Sequence, residues 1–166
     1  MQLNLEVKNQ KLFISGLVLA AIVAVLDLYS KQLIFGILNQ TAGHKIVITG
    51  FFNLVKVYNT GVSFGLFDDI AYGKHILVVL AFIIAMVLLF WLASCDDKVL
   101  AIAIGLVIGG AFGNMIDRAL FGAVADFVDI HVNGYHWPAF NVADSSITIG
   151  ATILVFDEFF RKKKKS

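Results

Sequence analysis

Charged residues are scarce in this chain of 166 residues, where Asp, Glu, Lys and Arg together make up only 15% of the sequence. Soluble domains average about 25% charged and roughly 45–50% apolar residues. Here 59% of the residues are hydrophobic and the mean hydropathy is +0.85. The composition therefore excludes an ordinary soluble domain and indicates a membrane protein, and the length suits one domain over residues 1–166.

A second cysteine and a recognisable leader cleavage site are also missing. Cys95 is the single cysteine, so an internal disulfide is excluded and the redox compartment stays open. Lys8 and Lys11 precede an apolar run, but no small-x-small cleavage site follows, which favours an uncleaved first span over a signal peptide. No basic soluble domain accompanies the basic cluster 161–165, so we expect no nucleic-acid binding.

Two common hydrolase signatures are absent. No HExxH or other ligand spacing surrounds His131, His136 and Asp129, so neither zinc nor any other metal is expected. Ser63 and Ser145 lack a paired base and a GxSxG elbow, which disfavours serine chemistry. We therefore expect no cofactor, and any chemistry has to come from the remaining polar residues.

Long apolar runs predict four transmembrane helices, at about 20 residues per crossing. The predicted spans are 12–33, 75–95, 99–117 and 140–158. The first must take in Asp27, because its uncharged part ends at Leu26, and Lys31 is then expected to snorkel toward the far interface. The last must take in Asp144, because 145–156 alone is too short to cross.

The regions outside the spans predict a small β-element. Residues 46–48 and 54–58 are β-branched and aromatic, which indicates short strands. A glycine-punctuated turn over 59–65 follows, and we expect 59–69 to move as a lid. The predicted fold is an all-α polytopic membrane protein with four transmembrane helices, a small extracytoplasmic β-element and outer loops. Small residues in the third span predict close helix packing, namely Gly105, Gly109, Gly110 and Gly113.

Charge distribution predicts the orientation. Of the 13 basic residues, eight lie in the two tails and the 96–98 turn. By the positive-inside rule both termini are cytoplasmic and both long loops face outward. At about 1.5 Å per residue, Asp27, Asn114 and Asp144 then lie roughly 24–26 Å above the cytoplasmic helix ends. This predicts one polar layer near the outer interface, and intramembrane ionisable residues mark functional sites by default.

A hairpin is predicted to bring two of these carboxyl-bearing segments together. Asn133-Gly134 is a strong two-residue turn signal, and pairing Val132 with Tyr135 sets Asp126 opposite Asn141. Asn141 in turn shares a helix face with Asp144 at i, i+3.

A close carboxylate pair shares a proton, because one pKa rises. The ionised member can take a proton from water as that water attacks a peptide carbonyl, while the protonated member polarises the carbonyl. A simpler interpretation of Asp144, as a first-turn acid beside an N-capping Asn141, stays open. Asp117 and Arg118 are expected to hold the end of the third span through ion pairs, Asp27 to be a buried hydrogen-bonding partner, and Asp129 to be solvated.

Five short motifs occur in order along the chain. They are Asp27 with Lys31, Asn59-x-Gly61 with Ser63-Phe64, Gly113-Asn114-x-x-Asp117-Arg118, Gly122-x-Val124-x-Asp126-Phe127 and Phe140-Asn141-x-Ala143-Asp144-Ser145. Together, on four predicted spans, they make the chain resemble the bacterial lipoprotein signal peptidase (signal peptidase II) family over nearly its whole length. Val62 departs from the alanine that the family often has in the Asn-x-Gly turn.

The resemblance implies an intramembrane aspartic endopeptidase that cuts diacylglyceryl-modified prolipoproteins before the lipidated cysteine. It implies Asp126 and Asp144 as the catalytic pair. It implies substrate-binding or supporting roles for Asp27, Lys31, Asn59, Gly61, Asn114, Asp117, Arg118 and Asn141. The expected setting is the bacterial cytoplasmic (inner) membrane, with membrane lipid around a monomer and the active site near the outer face.

Two other functional classes compete with a peptidase. A small transporter or proton channel would use membrane carboxylates to carry ions, and it predicts a carboxylate path through the bilayer. Spans two and three have apolar middles instead. A non-enzymatic lipid-binding scaffold predicts lipoprotein binding without turnover.

Overall fold

The computed structural model describes residues 7–61 and 73–165. Across these ranges the chain forms four long α-helices: α1 Gln10–Asn39, α2 Gly73–Ala93, α3 Lys98–Phe121 and α4 Val142–Lys165. Each helix overlaps one predicted span, but α1 continues six residues beyond the predicted end at residue 33 and α4 continues seven residues beyond the predicted end at residue 158. Most of the predicted lid, 62–69, and Ser63 lie outside the described residues.

Three of the described helices, α1, α2 and α3, are long and apolar enough to cross a membrane. The fourth, α4, is 24 residues long, about 36 Å at the α-helical rise. It carries Asp144, Asp157 and Glu158 and is not among the three. The fourth crossing therefore stays a prediction.

Helix α3 is the centre of the helical layer. In its apolar stretch 61% of residues are buried, against 22% in α1 and 28% in α2. Ile104 and Ile108 of α3 pack with Ala20 of α1 and with Leu88 and Leu92 of α2. The outward faces of α1 and α2 expose large apolar side chains such as Val25 and Val79, as helices facing lipid tails do.

The glycines of α3 are the points of closest helix approach. A Cβ placed on Gly110 would lie 2.5 Å from the carbonyl oxygen of Ala143 in α4. One placed on Gly109 would lie 2.6 Å from the carbonyl oxygen of Ala20 in α1. The predicted close packing at these glycines is confirmed.

The N-terminal segment lies beside the connection between α2 and α3. The Lys8 amide donates to the Ala93 carbonyl at 2.9 Å, and the Lys8 ammonium pairs with Asp96. Asn9 caps α1, and Asp97 caps α3 by accepting from two backbone amides. These contacts put the start of α1 and the α2–α3 connection at one end of the bundle.

The predicted β-element forms a four-stranded antiparallel sheet in the described chain, in the order β1–β2–β3–β4. Its strands are β1 Lys45–Thr49, β2 Phe52–Asn59, β3 Val124–Val132 and β4 Tyr135–His136. A short 3₁₀ turn, Ala42–His44, links α1 to β1. The sheet thus joins the loop after α1 to the loop after α3, which sequence analysis had treated separately.

The Asn133-Gly134 hairpin is confirmed. Both residues have positive φ, 50° and 82°, as a type I′ turn requires, and Val132 pairs with Tyr135. The extrapolated register is wrong, because Val128 rather than Phe127 bridges Phe140. A proline cannot donate to the ladder, and the shift falls across the segment that contains Pro138.

We expect Gly110→Ala to destabilise the protein by about 1–3 kcal/mol, the usual cost of overpacking. The added methyl group would press on the Ala143 carbonyl and on Ile147 Cγ1, 2.8 Å away. Thermal unfolding of the detergent-solubilised protein measures the effect. The matched control is Gly36→Ala, an exposed mid-helix glycine with nothing within 4 Å of an added Cβ. Equal melting temperatures for the two variants would contradict the tight crossing.

Candidate active site

Helices α1, α3 and α4 bring their polar residues into one layer, as predicted. The Ala143 amide in α4 donates to Asp27 Oδ1 in α1 at 2.9 Å. Lys31 Nζ in α1 donates to Asn114 Oδ1 in α3 at 3.0 Å. Gly113 in α3 leaves space for the Asp27 carboxylate, because a Cβ on Gly113 would collide with that carboxylate.

A buried ion network lies at the base of this layer. Lys31 Nζ is 2.6 Å from Asp27 Oδ2 and 3.0 Å from Asp117 Oδ2. Asp27 is fully buried and Lys31 is 3% exposed. The prediction of Asp27 as a buried hydrogen-bonding partner is confirmed. The predicted snorkelling of Lys31 is wrong, because two carboxylates hold its ammonium inside the protein.

The C-terminal part of α3 is held to strand β3 and to the residues that follow β2. Asp117 Oδ2 accepts from the Ala125 amide in β3 at 3.1 Å in addition to its pair with Lys31, so the predicted anchoring role of Asp117 is confirmed. Arg118 Nη2 donates to the Gly61 carbonyl at 2.7 Å. The contact that the structure gives Arg118 is therefore a hydrogen bond to backbone where an ion pair had been expected.

Asp126 is held by two asparagine amides. Its Oδ1 accepts from Asn141 Nδ2 at 2.6 Å, and its Oδ2 accepts from Asn59 Nδ2 at 3.1 Å. Asp126 is 1% exposed. The predicted proximity of Asp126 and Asn141 is correct, although a side-chain hydrogen bond rather than strand pairing joins them.

Asp144 lies in the first turn of α4 and has the geometry of a capping residue. Asn141 Oδ1 accepts from the Asp144 amide at 2.9 Å, and the Asn141 amide donates back to Asp144 Oδ2 at 3.2 Å. This reciprocal pair satisfies free donors at the helix N-terminus. The other carboxylate oxygen of Asp144 accepts from Asn114 Nδ2 at 2.7 Å. Asp144 thus fits the capping interpretation and also faces the polar layer.

Asn141 links the two carboxylates directly. It is fully buried, it donates to Asp126 and it accepts from the backbone of Asp144. The pKa of Asp126 is raised to about 7, first by burial and then by the negative charge of Asp144. The hydrogen bonds from Asn59 and Asn141 oppose this shift without cancelling it. The two carboxyl groups therefore form an electrostatically coupled pair.

A cavity of about 600 Å³ opens beside the pair. Asp144, Asn59, Asn114 and Arg118 contribute its polar wall. Its apolar wall comes from the segment 137–140 and from α4. Asp126 lies behind this surface, so the carboxylate that a ligand in the cavity reaches first is Asp144.

Asp129 corrects a prediction. It is 6% exposed, not solvated, because Asn53 pairs with it across β2 and β3 and donates to it at 2.7 Å. Burial raises the pKa of Asp129, but hydrogen bonds from Asn53 and His136 outweigh burial and leave it below the ordinary value. His136 lies 2.7 Å from Asp129 and stacks on His131. The two histidines therefore complete a structural cluster apart from the carboxylate pair.

Sequence reasoning missed several groups that shape the site. The amides of Ala125 and Ala143 hold Asp117 and Asp27, and backbone donors leave no signal in side-chain patterns. Asn53 had one available signal, since it is a polar residue between apolar strand segments. The cavity wall at Trp137, Ala139 and Phe140 depends on the path of the chain around Pro138.

Comparison with known proteins agrees with this architecture. The sequence model of a family described as Signal peptidase (SPase) II matches residues 19–160. A lipoprotein signal peptidase of Cupriavidus necator is 40% identical over 147 residues, which cover 87% of this chain and 83% of the relative. One from Francisella tularensis subsp. novicida is 39% identical over 151 residues, with 89% and 92% covered.

A solved structure of a bacterial membrane enzyme, obtained by the in meso method at 2.3 Å resolution, has a similar fold. The TM-score is 0.79 at 29% identity, and 92% of each chain is covered. These relatives do not favour the transporter alternative. Together with the match over residues 19–160, they show that the chain belongs to the signal peptidase II family of bacterial membrane proteases, which cleave signal peptides from prolipoproteins.

Proposed function

We propose that the protein is an intramembrane aspartic endopeptidase that uses Asp126 and Asp144 to cleave prolipoproteins before a diacylglyceryl-modified cysteine. The observation that carries the proposal is the bridge through Asn141, whose side-chain amide donates to the carboxyl group of Asp126 on a strand and whose backbone amide donates to the carboxyl group of Asp144 on a helix. Asparagine amides orient both carboxyl groups, and the negative charge of Asp144 helps to raise the pKa of Asp126, which supports a pair that shares one proton.

In the proposed reaction Asp126 holds the proton and Asp144 is ionised. Asp126 is suited to this because its pKa of about 7 keeps a large protonated fraction at neutral pH. Asp144 borders the cavity, where a water molecule and a peptide bond have room to meet. Proton transfer by side chains with pKa values near the operating pH is the efficient case.

The bond changes are those of peptide hydrolysis. Asp144 takes a proton from the water as the water oxygen bonds to the carbonyl carbon, and Asp126 donates its proton to the carbonyl oxygen. The tetrahedral intermediate then collapses. Asp144 returns its proton to the leaving nitrogen as the C–N bond breaks, and the intermediate's hydroxyl returns a proton to Asp126. Both carboxyl groups end in their starting states.

The cavity supports recognition of an extended, lipid-bearing substrate. Its apolar wall suits acyl and side-chain carbons, and its polar wall offers Asn59, Asn114 and Arg118 as donors to a peptide backbone. Gly61 contributes by orienting Arg118 through its carbonyl. We propose that these residues position the scissile bond beside Asp144.

We propose that both termini are cytoplasmic and that the pair lies near the outer membrane face. Lys8 and the α2–α3 connection lie at one end of the bundle, where the positive-inside rule expects cytoplasmic residues. The polar layer lies away from that end, just past the middle of α1 and in the C-terminal part of α3.

We expect Asp126→Asn and Asp144→Asn each to lower cleavage by at least about 10²–10⁴-fold, the usual contribution of a positioned acid or base. A gel-shift assay with purified protein and a diacylglyceryl-modified prolipoprotein measures the loss. The matched control is Asp129→Asn, a buried carboxylate on the same strand as Asp126 that lies outside the pair. EDTA should leave wild-type cleavage unchanged. Full activity in folded Asp126→Asn and Asp144→Asn variants would overturn the proposal. If the wild-type protein bound the prolipoprotein without cleaving it, a lipid-binding scaffold would be the better assignment.

The pH profile of kcat/KM should fall as the pH rises through about 7, because Asp126 loses its proton there. Activity falls rather than rises because Asp126 acts as an acid, and an acid that must be protonated supports activity only below its pKa. Rates measured between roughly pH 5 and 9 test this. Asp129→Asn should retain the same alkaline fall, because the pKa of Asp129 is below the ordinary value. Activity that instead rises through pH 7 would make Asp126 the base and contradict the assignment.

A further inference from the structure

The buried ammonium group of Lys31 lies among three oxygen atoms. A lysine has three N–H donors and no acceptor, and Lys31 Nζ has three oxygen neighbours. They are Asp27 Oδ2 at 2.6 Å, Asp117 Oδ2 at 3.0 Å and Asn114 Oδ1 at 3.0 Å. Two neutralising carboxylates account for keeping such a cation buried. They do not account for the third contact, which goes to a neutral amide.

That third contact determines which way the Asn114 amide faces. Lys31 can only donate, so the oxygen of Asn114 must point toward it. The nitrogen of Asn114 therefore points the other way, where it donates to Asp144 Oδ1 at 2.7 Å. Asn141 Nδ2 adds a weaker contact to the same Asn114 oxygen at 3.3 Å, which favours the same orientation.

Asn141 is oriented by the same logic. The Asp144 amide can only donate, so it fixes Asn141 Oδ1 and leaves Asn141 Nδ2 for Asp126. One carboxylate oxygen of Asp144 thus accepts a hydrogen bond from Asn114 Nδ2, and the other accepts one from the backbone N–H of Asn141. These two donors, one on each oxygen, fix the orientation of the Asp144 carboxyl group.

The geometry points to Lys31 as a positioning residue that acts through Asn114 to orient the carboxyl group of Asp144. This inference rests on the proposed function. Lys31 touches neither the cavity nor either carboxyl group of the pair. A purely structural role, neutralising Asp27 and Asp117, is the alternative that an experiment has to separate from it.

The double variant Lys31→Met with Asp27→Asn makes this separation. It removes one positive and one negative charge, so the net charge of the network is unchanged, and asparagine retains an oxygen for the Ala143 amide. Without Lys31 only the weaker contact from Asn141 Nδ2 holds the Asn114 oxygen, so the Asn114 amide can turn more readily and present its oxygen to Asp144. We expect kcat to fall at least about tenfold, as for loss of a supporting hydrogen bond, with KM changed less than about twofold.

The reference for the double variant is Asp27→Asn alone, and the matched lysine control is Lys56→Met. Lys56 is bonded to Asn39 at the surface and should keep wild-type kcat and pH profile. Wild-type values in the folded double variant would overturn the inference. A fall in kcat that Asp27→Asn alone reproduces, or one matched by an equal rise in KM, would also overturn it, because it would mark a structural role.

Asn114→Asp keeps the inference testable if the double variant does not fold. It retains the size of the side chain and an oxygen for Lys31, but an ionised carboxylate has no N–H to donate to Asp144. The same loss of kcat with KM little changed is expected, and wild-type behaviour would overturn the inference. Asp126→Asn and Asp144→Asn are assayed alongside. If the Asp126 and Asp144 variants stay active, the proposed function is wrong. If those two variants are inactive but the Lys31 and Asn114 variants behave as wild type, only the inference about Lys31 is wrong.

Discussion

The buried ammonium of Lys31 is the interaction on which the polar layer depends. It ties α1 to α3 through Asp117 and Asn114, and it neutralises the Asp27 carboxylate that holds the start of α4. A buried ion pair is costly to assemble and costlier to break from one side. These contacts therefore fix the relative positions of α1, α3 and α4 at the polar layer, and the cavity forms beside this rigid part of the bundle.

The sheet supplies what the helices alone lack. Asp126 lies on β3, a strand paired on one side with β2, which ends at Asn59, and extended by the hairpin to the segment that leads into α4. One carboxyl group thus belongs to the sheet and the other to a helix. Asn141, at the junction of sheet and helix, is the side chain that keeps them in register. The arrangement brings together residues 18 positions apart without using consecutive turns of one helix.

The parts of the site that sequence analysis predicted depend on local rules. The Asn133-Gly134 turn, the N-cap at Asn141 and the layer of Asp27, Asn114 and Asp144 each follow from a few neighbouring residues or from the helical rise. The errors share a different cause. Lys31 and Asp129 were assigned to solvent or interface because their partners, Asp117 and Asn53, come from distant segments of the chain. The register beyond the hairpin failed at Pro138, where regular pairing no longer applies.

The distribution of these contacts along the bundle has a consequence for the surrounding bilayer. With 30 residues α1 is about 45 Å long, more than the roughly 30 Å thickness of the hydrocarbon core. Such a helix adapts to hydrophobic mismatch by tilting. Polar contacts at Asp27 and Lys31 and the contacts of Lys8 with the α2–α3 connection tie α1 to the other helices at two levels. Differences in membrane thickness are then expected to tilt the bundle as a unit, while the spacing of the two carboxyl groups stays the same.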